Sequence, residues 1–169
     1  MTLRLREATV ADAPLLRRWD EEPHVIAGKG TEDWRWESEL AREAPEREPL
    51  IAELSGRPMG FMQVLNPSLD PTRYFGDGVP SGVRALDIWV GEPDLIGQGL
   101  GTQIMKLALE RCFAHPEVTQ VWVDPLADNL RAHRFYRRLG FELIEHQQIG
   151  EDACALHALT RARWDTRST

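Results

Sequence analysis

Two groups of residues in this chain of 169 have types and spacing suited to chemistry. One is a run of alternate glycines, Gly97-Gln98-Gly99-Leu100-Gly101-Thr102, and the other is a small set of polar side chains embedded in apolar sequence on either side of it. The glycine run lies between a strand-like stretch and a helical pattern. There the first N–H groups of the helix lack acceptors and the positive end of its dipole collects. Glycine permits close approach of an anion and the backbone angles of an amide nest. The chemistry that follows is phosphate binding by backbone donors.

Several phosphate sites compete for that run. A P-loop is excluded, because no Lys-Ser/Thr pair follows any of these glycines. A dinucleotide fingerprint in the register Gly97-x-Gly99 needs glycine where Thr102 stands. Asp124 sits at a suitable distance for that fingerprint, but such folds begin with this unit, and here it begins past residue 80. A coenzyme A pyrophosphate fits a single strand-helix-strand unit placed after antiparallel strands. A ligand-free tight turn is the plain alternative.

The polar residues read as follows. Asp87, inside Ala85-Leu86-Asp87-Ile88-Trp89-Val90, is a carboxylate either paired within a sheet or facing a cleft. Tyr136 shares a helical face with Ala132 and Phe135, which read alone makes it a core aromatic with a satisfied hydroxyl. Asp128 or Asn129 can cap that helix and Gly140 can close it. Asp124 precedes Pro125 as a turn-starting Asp would. His24, His115, His133, His146 and His157 have no metal-ligand spacing, so no metal is expected. No Ser or Cys stands in a nucleophile elbow, so direct transfer is favoured over a covalent enzyme intermediate.

The elements that must position these residues follow from periodicity. Leu3 and Leu5 alternate with Arg4 and Arg6 as a strand, and Thr9 to Asp12 has capping-box spacing ahead of a helix with Leu15, Leu16 and Trp19. Pro23 stops that helix, and 31–43 is expected to form a second, charged one carrying Trp34, Trp36 and Leu40. Residues 50–54 and 59–65 around Ser55-Gly56-Arg57-Pro58 read as a hairpin. A long loop over 66–82 precedes a strand at 83–90, a helix at 100–113, a strand at 118–123, the capped helix, and closing strands at 141–144 and 153–159. The order β-α-α-β-β-β-α-β-α-β-β predicts an α/β (α+β) fold, a mixed, mostly antiparallel sheet flanked by helices, in one domain over 1–169.

Composition narrows the partners. A net charge of −7 with no dense Lys/Arg run argues against nucleic acid and suits a small cationic acceptor. No segment reaches the roughly 20 apolar residues of a membrane span, and the charged start does not resemble a signal peptide. Cys112 and Cys154 lie in apolar sequence outside any C-x-x-C unit and are expected to be reduced and buried. A cytoplasmic protein, monomer or homodimer, is the expectation.

Leu86-Asp87-Ile88-Trp89-Val90, Ile96-Gly97-Gln98-Gly99-Leu100-Gly101-Thr102, Asp124-Pro125 through Asn129-Leu130-Arg131-Ala132, and Phe135-Tyr136-Arg137-Arg138-Leu139-Gly140-Phe141 together resemble the GNAT superfamily of N-acetyltransferases. More narrowly, they resemble its aminoglycoside 6′-N-acetyltransferase branch. Ile96 stands where that family usually has Arg or Gln, which removes one side-chain anchor.

The resemblance implies acetyl-CoA as co-substrate, its pyrophosphate on the backbone of Gly97, Gln98, Gly99, Leu100, Gly101 and Thr102. Asn129 and Ala132 would lie along the pantetheine arm, and the N–H groups of Trp89 and Val90 would face the thioester, as an added strand would. It implies Asp87 as base or ammonium anchor and Tyr136 as general acid. Asp124 and Asp77 would hold the acceptor, within an acidic wall shared with Asp70, Glu92 and Asp94. The other acceptors compatible with this chemistry are a polyamine, a protein N-terminus or a siderophore precursor. A coenzyme-binding module without activity is the non-enzymatic alternative.

Overall fold

The computed structural model describes residues 1–30 and 32–167. One seven-stranded sheet runs through it in the order β1-β2-β3-β4-β5-β7-β6. Its strands are β1 (Leu3–Glu7), β2 (Arg47–Leu54), β3 (Arg57–Leu65), β4 (Val83–Val90), β5 (Gln120–Val123), β6 (Glu142–Ile149) and β7 (Asp152–Thr160). All neighbours are antiparallel except β4 and β5, which are joined by the crossover helix α4 (Leu100–Phe113) after α1 (Ala13–Asp20), α2 (Pro23–Lys29) and α3 (Trp36–Ala41). Two further helices follow, α5 (Leu130–Arg138) and α6 (Arg161–Arg167).

Alternation along the central strands, interrupted by a bulge at Met59, divides the interior into two cores. Leu50, Ala52, Met59, Met62 and Leu86 point to α4, where Ile104, Met105, Ala108 and Leu109 pack. Ile51 and Phe61 point the other way, against Leu16, Trp19 and Trp36 of α1 and α3. The sheet is thereby covered on both faces.

The helical segment after β1 departs from the sequence expectation. The 3-10 turn at Val10–Asp12 is capped as expected, with the Asp12 carboxylate accepting the Thr9 N–H at 2.8 Å. Pro23 ends α1 but also opens α2 at its first turn, where its missing N–H costs nothing. The helix expected over 31–43 shrinks to Trp36–Ala41, because Gly30 (φ 80°) and Arg35 (φ 48°) turn the chain between them. Thr31 lies outside the described residues. The terminal α6 was not expected, and Trp164 docks it on Phe113 with ring centroids 5.6 Å apart. The closing strands are longer than their sequence pattern implies, since β6 is exposed along most of its length and carries no alternation. No described helix is long and apolar enough to cross a membrane.

Candidate active site

The site is set by where β4 loses a neighbour. β4 pairs with β5 only over Val83, Arg84 and Ala85, while β3 continues to accompany it as far as Val90. Gly82 O accepts N–H from Thr119 at 2.8 Å on the β5 side, and Gly91 donates to Met59 O at 2.8 Å on the β3 side. Alternation therefore turns the backbone groups of Leu86, Ile88 and Val90 toward the side that β5 has left. Trp89 faces the other way: its carbonyl lies 2.6 Å from where a Cβ on Gly60 would stand. Of the two amides expected on the open edge, Val90 is there and Trp89 is not. Val90 O is approached by His24 Nε2 of α2 at 2.8 Å.

The far end of β4 is fixed by tight packing. Trp19 lies so close under Gly91 that a Cβ would come 2.0 Å from its ring. Its indole N–H donates to Glu92 at 2.9 Å, and Arg57 and Arg18 pair with the same carboxylate. Asp94 is likewise held by Arg57, at 3.0 Å. Glu92 and Asp94 are therefore structural anchors, which corrects their expected place in an acidic wall.

Past Glu92 the glycine turn enters α4. Gly97 (φ 77°) and Gly99 (φ 76°) need the left-handed region that glycine occupies without penalty, and a Cβ on either would meet no heavy atom within 4 Å. The N–H groups of Gly97, Gln98 and Gly99 donate to no acceptor among the described residues. Gly101 differs, being the second residue of α4, with Phe135 of α5 at 3.8 Å and Val90 at 4.0 Å from a Cβ position. The turn, the open edge and α5 are thus contiguous. Leu100 is buried in the core and Thr102 continues the first turn.

A cavity of about 180 Å³ opens at the separation of the strands, lined by Asp87, Trp89, Asp124 and Tyr136 together with Tyr74 and Trp34. Asn129 and Ala132 also reach it, although the Asn129 side chain accepts the Ala132 N–H at 3.1 Å as the helix cap. Trp34 and Trp89 make its aromatic wall, edge-on to each other at 5.4 Å, and Phe61 backs Trp89 from the core at 4.7 Å. Asp77 does not reach the cavity. It pairs with Arg73 at 2.7 Å on the exposed loop.

The acids of the cavity are electrostatically uneasy. Asp87 accepts one hydrogen bond from its cross-strand partner Gln63 at 2.6 Å, yet burial, aided by the charge of Glu32, holds its carboxyl above the usual range. Asp124 is pushed up to about 7 by burial and by the charge of Asp87, against the Tyr74 hydrogen bond, which lowers it. Tyr136 is raised by burial and then by both carboxylates, so it stays a phenol. Its ring packs in the core, as the plain alternative held, but its hydroxyl has no hydrogen-bond partner among the described residues. Tyr74, Trp34 and Gln63 were missed by sequence reasoning. Only Gln63 carried a signal, a polar residue inside an apolar strand.

The comparisons with known proteins bear on the family and the fold. The profile of the acetyltransferase (GNAT) domain matches residues 8–149. The aminoglycoside N(6′)-acetyltransferase type 1 of Klebsiella pneumoniae is 32% identical over 148 residues, covering 82% of this chain and 73% of that relative. The lysine N-acyltransferase MbtK of Mycolicibacterium paratuberculosis is 25% identical over 161 residues, 92% of this chain and 72% of its own length. The crystal structure of aminoglycoside acetyltransferase AAC(6′)-Ib in complex with coenzyme A and kanamycin superposes with a TM-score of 0.87 at 27% identity, over 99% of this chain and 100% of that one. With its strand separation, glycine turn and family profile in agreement, the chain belongs to the GNAT acetyltransferase family.

Proposed function

We propose that this enzyme transfers the acetyl group of acetyl-CoA directly to a primary amine of a small polycation, with the 6′-amine of an aminoglycoside as acceptor. The observation that carries this reading is the meeting of Asp87, Asp124 and an unpartnered Tyr136 hydroxyl in one cavity beside the unpaired edge of β4. The acceptor class draws support from the named activity of the 32% identical relative and from the kanamycin complex with the same fold.

The residues fit the coenzyme. The Gly97–Gly99 turn is open where side chains would stand, and its free N–H groups meet the dipole of a 14-residue helix, an arrangement suited to a pyrophosphate. The Ile88 and Val90 backbone offers hydrogen bonds along an open strand edge, suited to amides laid there as an added strand. When bound, acetyl-CoA supplies an activated acetyl carbonyl and a thiolate leaving group.

Asp87, raised by burial, accepts the proton of the acceptor's ammonium and frees the nitrogen lone pair. Tyr136, kept protonated, gives its proton at the departing sulfur, and solvent restores both groups. Asp124 holds a second cation of the acceptor, which fixes the direction of attack. The two free thiols, Cys112 and Cys154, fit a reducing cytoplasm.

The test is thiol release from acetyl-CoA with kanamycin, lysine and spermidine as acceptors. Saturable release with kanamycin is expected. Release with lysine alone would move the acceptor to the class named for the mycobacterial relative, and no release with any amine would overturn the enzymatic reading.

A further inference from the structure

The loop over 66–82 is not a passive connection. Asp70 organises its first half: Oδ1 accepts the Thr72 N–H at 2.9 Å, and Oδ2 accepts the Tyr74 N–H at 3.0 Å. These bonds turn the chain so that Tyr74 projects toward the sheet. Its hydroxyl donates to Asp124 Oδ2 at 2.7 Å, spanning 50 positions in sequence. Phe75 follows and edges onto Trp122 of β5, with ring centroids 5.7 Å apart, while Tyr74 and Phe75 meet at 4.8 Å. The loop is therefore fastened to β5 by rings and to the cavity by a single polar contact.

We propose that Tyr74 is a positioning residue that keeps the Asp124 carboxylate available as an anionic anchor for a second ammonium of the acceptor. The inference rests on the aminoglycoside reading above. A donor on Oδ2 leaves Oδ1 free for a cation and favours the charged form of the acid. That help matters here because burial and the charge of Asp87 oppose its ionisation. Asp87 of β4 and Tyr136 of α5 share the cavity with it, as do Asp152 and Cys154 of β7. Lys29, the last residue of α2, brings one cation and Glu32, between α2 and α3, a further acid. With the hydrogen bond in place the carboxyl sits at about 7. Without it the midpoint lies higher, and less of the anchor is charged at pH 7.

The experiment compares wild type with Tyr74→Phe, which keeps the ring against Phe75. Aspartate labelled with carbon-13 at the carboxyl reports the Asp124 midpoint, assigned by its absence in Asp124→Asn. The midpoint should rise in Tyr74→Phe, each unit of rise being about a tenfold fall in the ratio of ionised to protonated anchor. At pH 7 the KM for kanamycin should rise more than that for a sugar carrying one amine. The ratio of variant to wild type for kanamycin should shrink toward one at pH 8.5. An unmoved midpoint overturns the proposal, and so do equal losses for both acceptors at every pH, which mark a merely structural loop. A tighter kanamycin complex also overturns it, since the hydroxyl would then only compete with the cation. A wild-type enzyme that ignores kanamycin defeats the acceptor reading alone, and the carboxyl titration then decides the role of Tyr74.

Discussion

The two walls of the cleft are made of different material. The wall of the glycine turn and the open edge of β4 presents backbone donors, and its glycines are there to keep side chains away. The opposite wall presents side chains brought from four places: Trp34 ahead of α3, Tyr74 from the loop, Asp87 from β4 and Asp124 after β5. A backbone wall recognises a shape common to all residues and so depends on conformation. A side-chain wall depends on identity at each position. The coenzyme side should therefore fail when its backbone angles are disturbed, and the acceptor side when a single functional group is removed.

That contrast can be broken by substitution. Asp87→Asn changes one group on the side-chain wall and should lower kcat on the order of 100-fold or more, the usual scale for losing a general base. Acetyl-CoA affinity, measured by isothermal titration, should stay nearly intact, and full activity across pH would remove Asp87 from the chemistry. Gly99→Val acts on the other wall. A β-branched residue at φ 76° is strained by roughly 1–3 kcal/mol. It should weaken acetyl-CoA binding by about tenfold, the equivalent of 1.4 kcal/mol, with a much smaller effect on kcat at saturation.

Gly101→Ala sharpens the comparison with the smallest effect. Its position is helical with room for a methyl, so Tm should rise modestly, as alanine is favoured over glycine by about 1 kcal/mol in a helix. Acetyl-CoA affinity should fall only slightly. A loss as large as that of Gly99→Val would move the centre of anion recognition onto the first turn of α4.

The same difference in material explains what could be read from sequence. The strand Val83–Val90 and helix Leu100–Phe113 have the bounds their periodicity implies, and Asn129 and Gly140 cap α5 as their types suggest. These are local rules acting on contiguous residues. Pro23 was legible as a stop but not as a start, because both readings obey the same missing N–H. Tyr74 was illegible, since an aromatic in a loop acquires meaning only from an acid 50 residues away. Asp77, Glu92 and Asp94 looked like an acidic wall for the converse reason. Charge is visible in sequence, whereas the arginines that neutralise it, Arg73, Arg18 and Arg57, are identified only by folding.

Trp19 comes from α1, on the face of the sheet opposite α4, and is lodged under Gly91 at the far end of β4. It acts as a wedge that fixes the end of β4 beyond the fork. Neither half of this enzyme is then an interchangeable cassette. A hybrid that took its N-terminal helices from one relative and its glycine turn from another would need positions 19 and 91 to travel as a matched pair, or the end of β4 would be displaced.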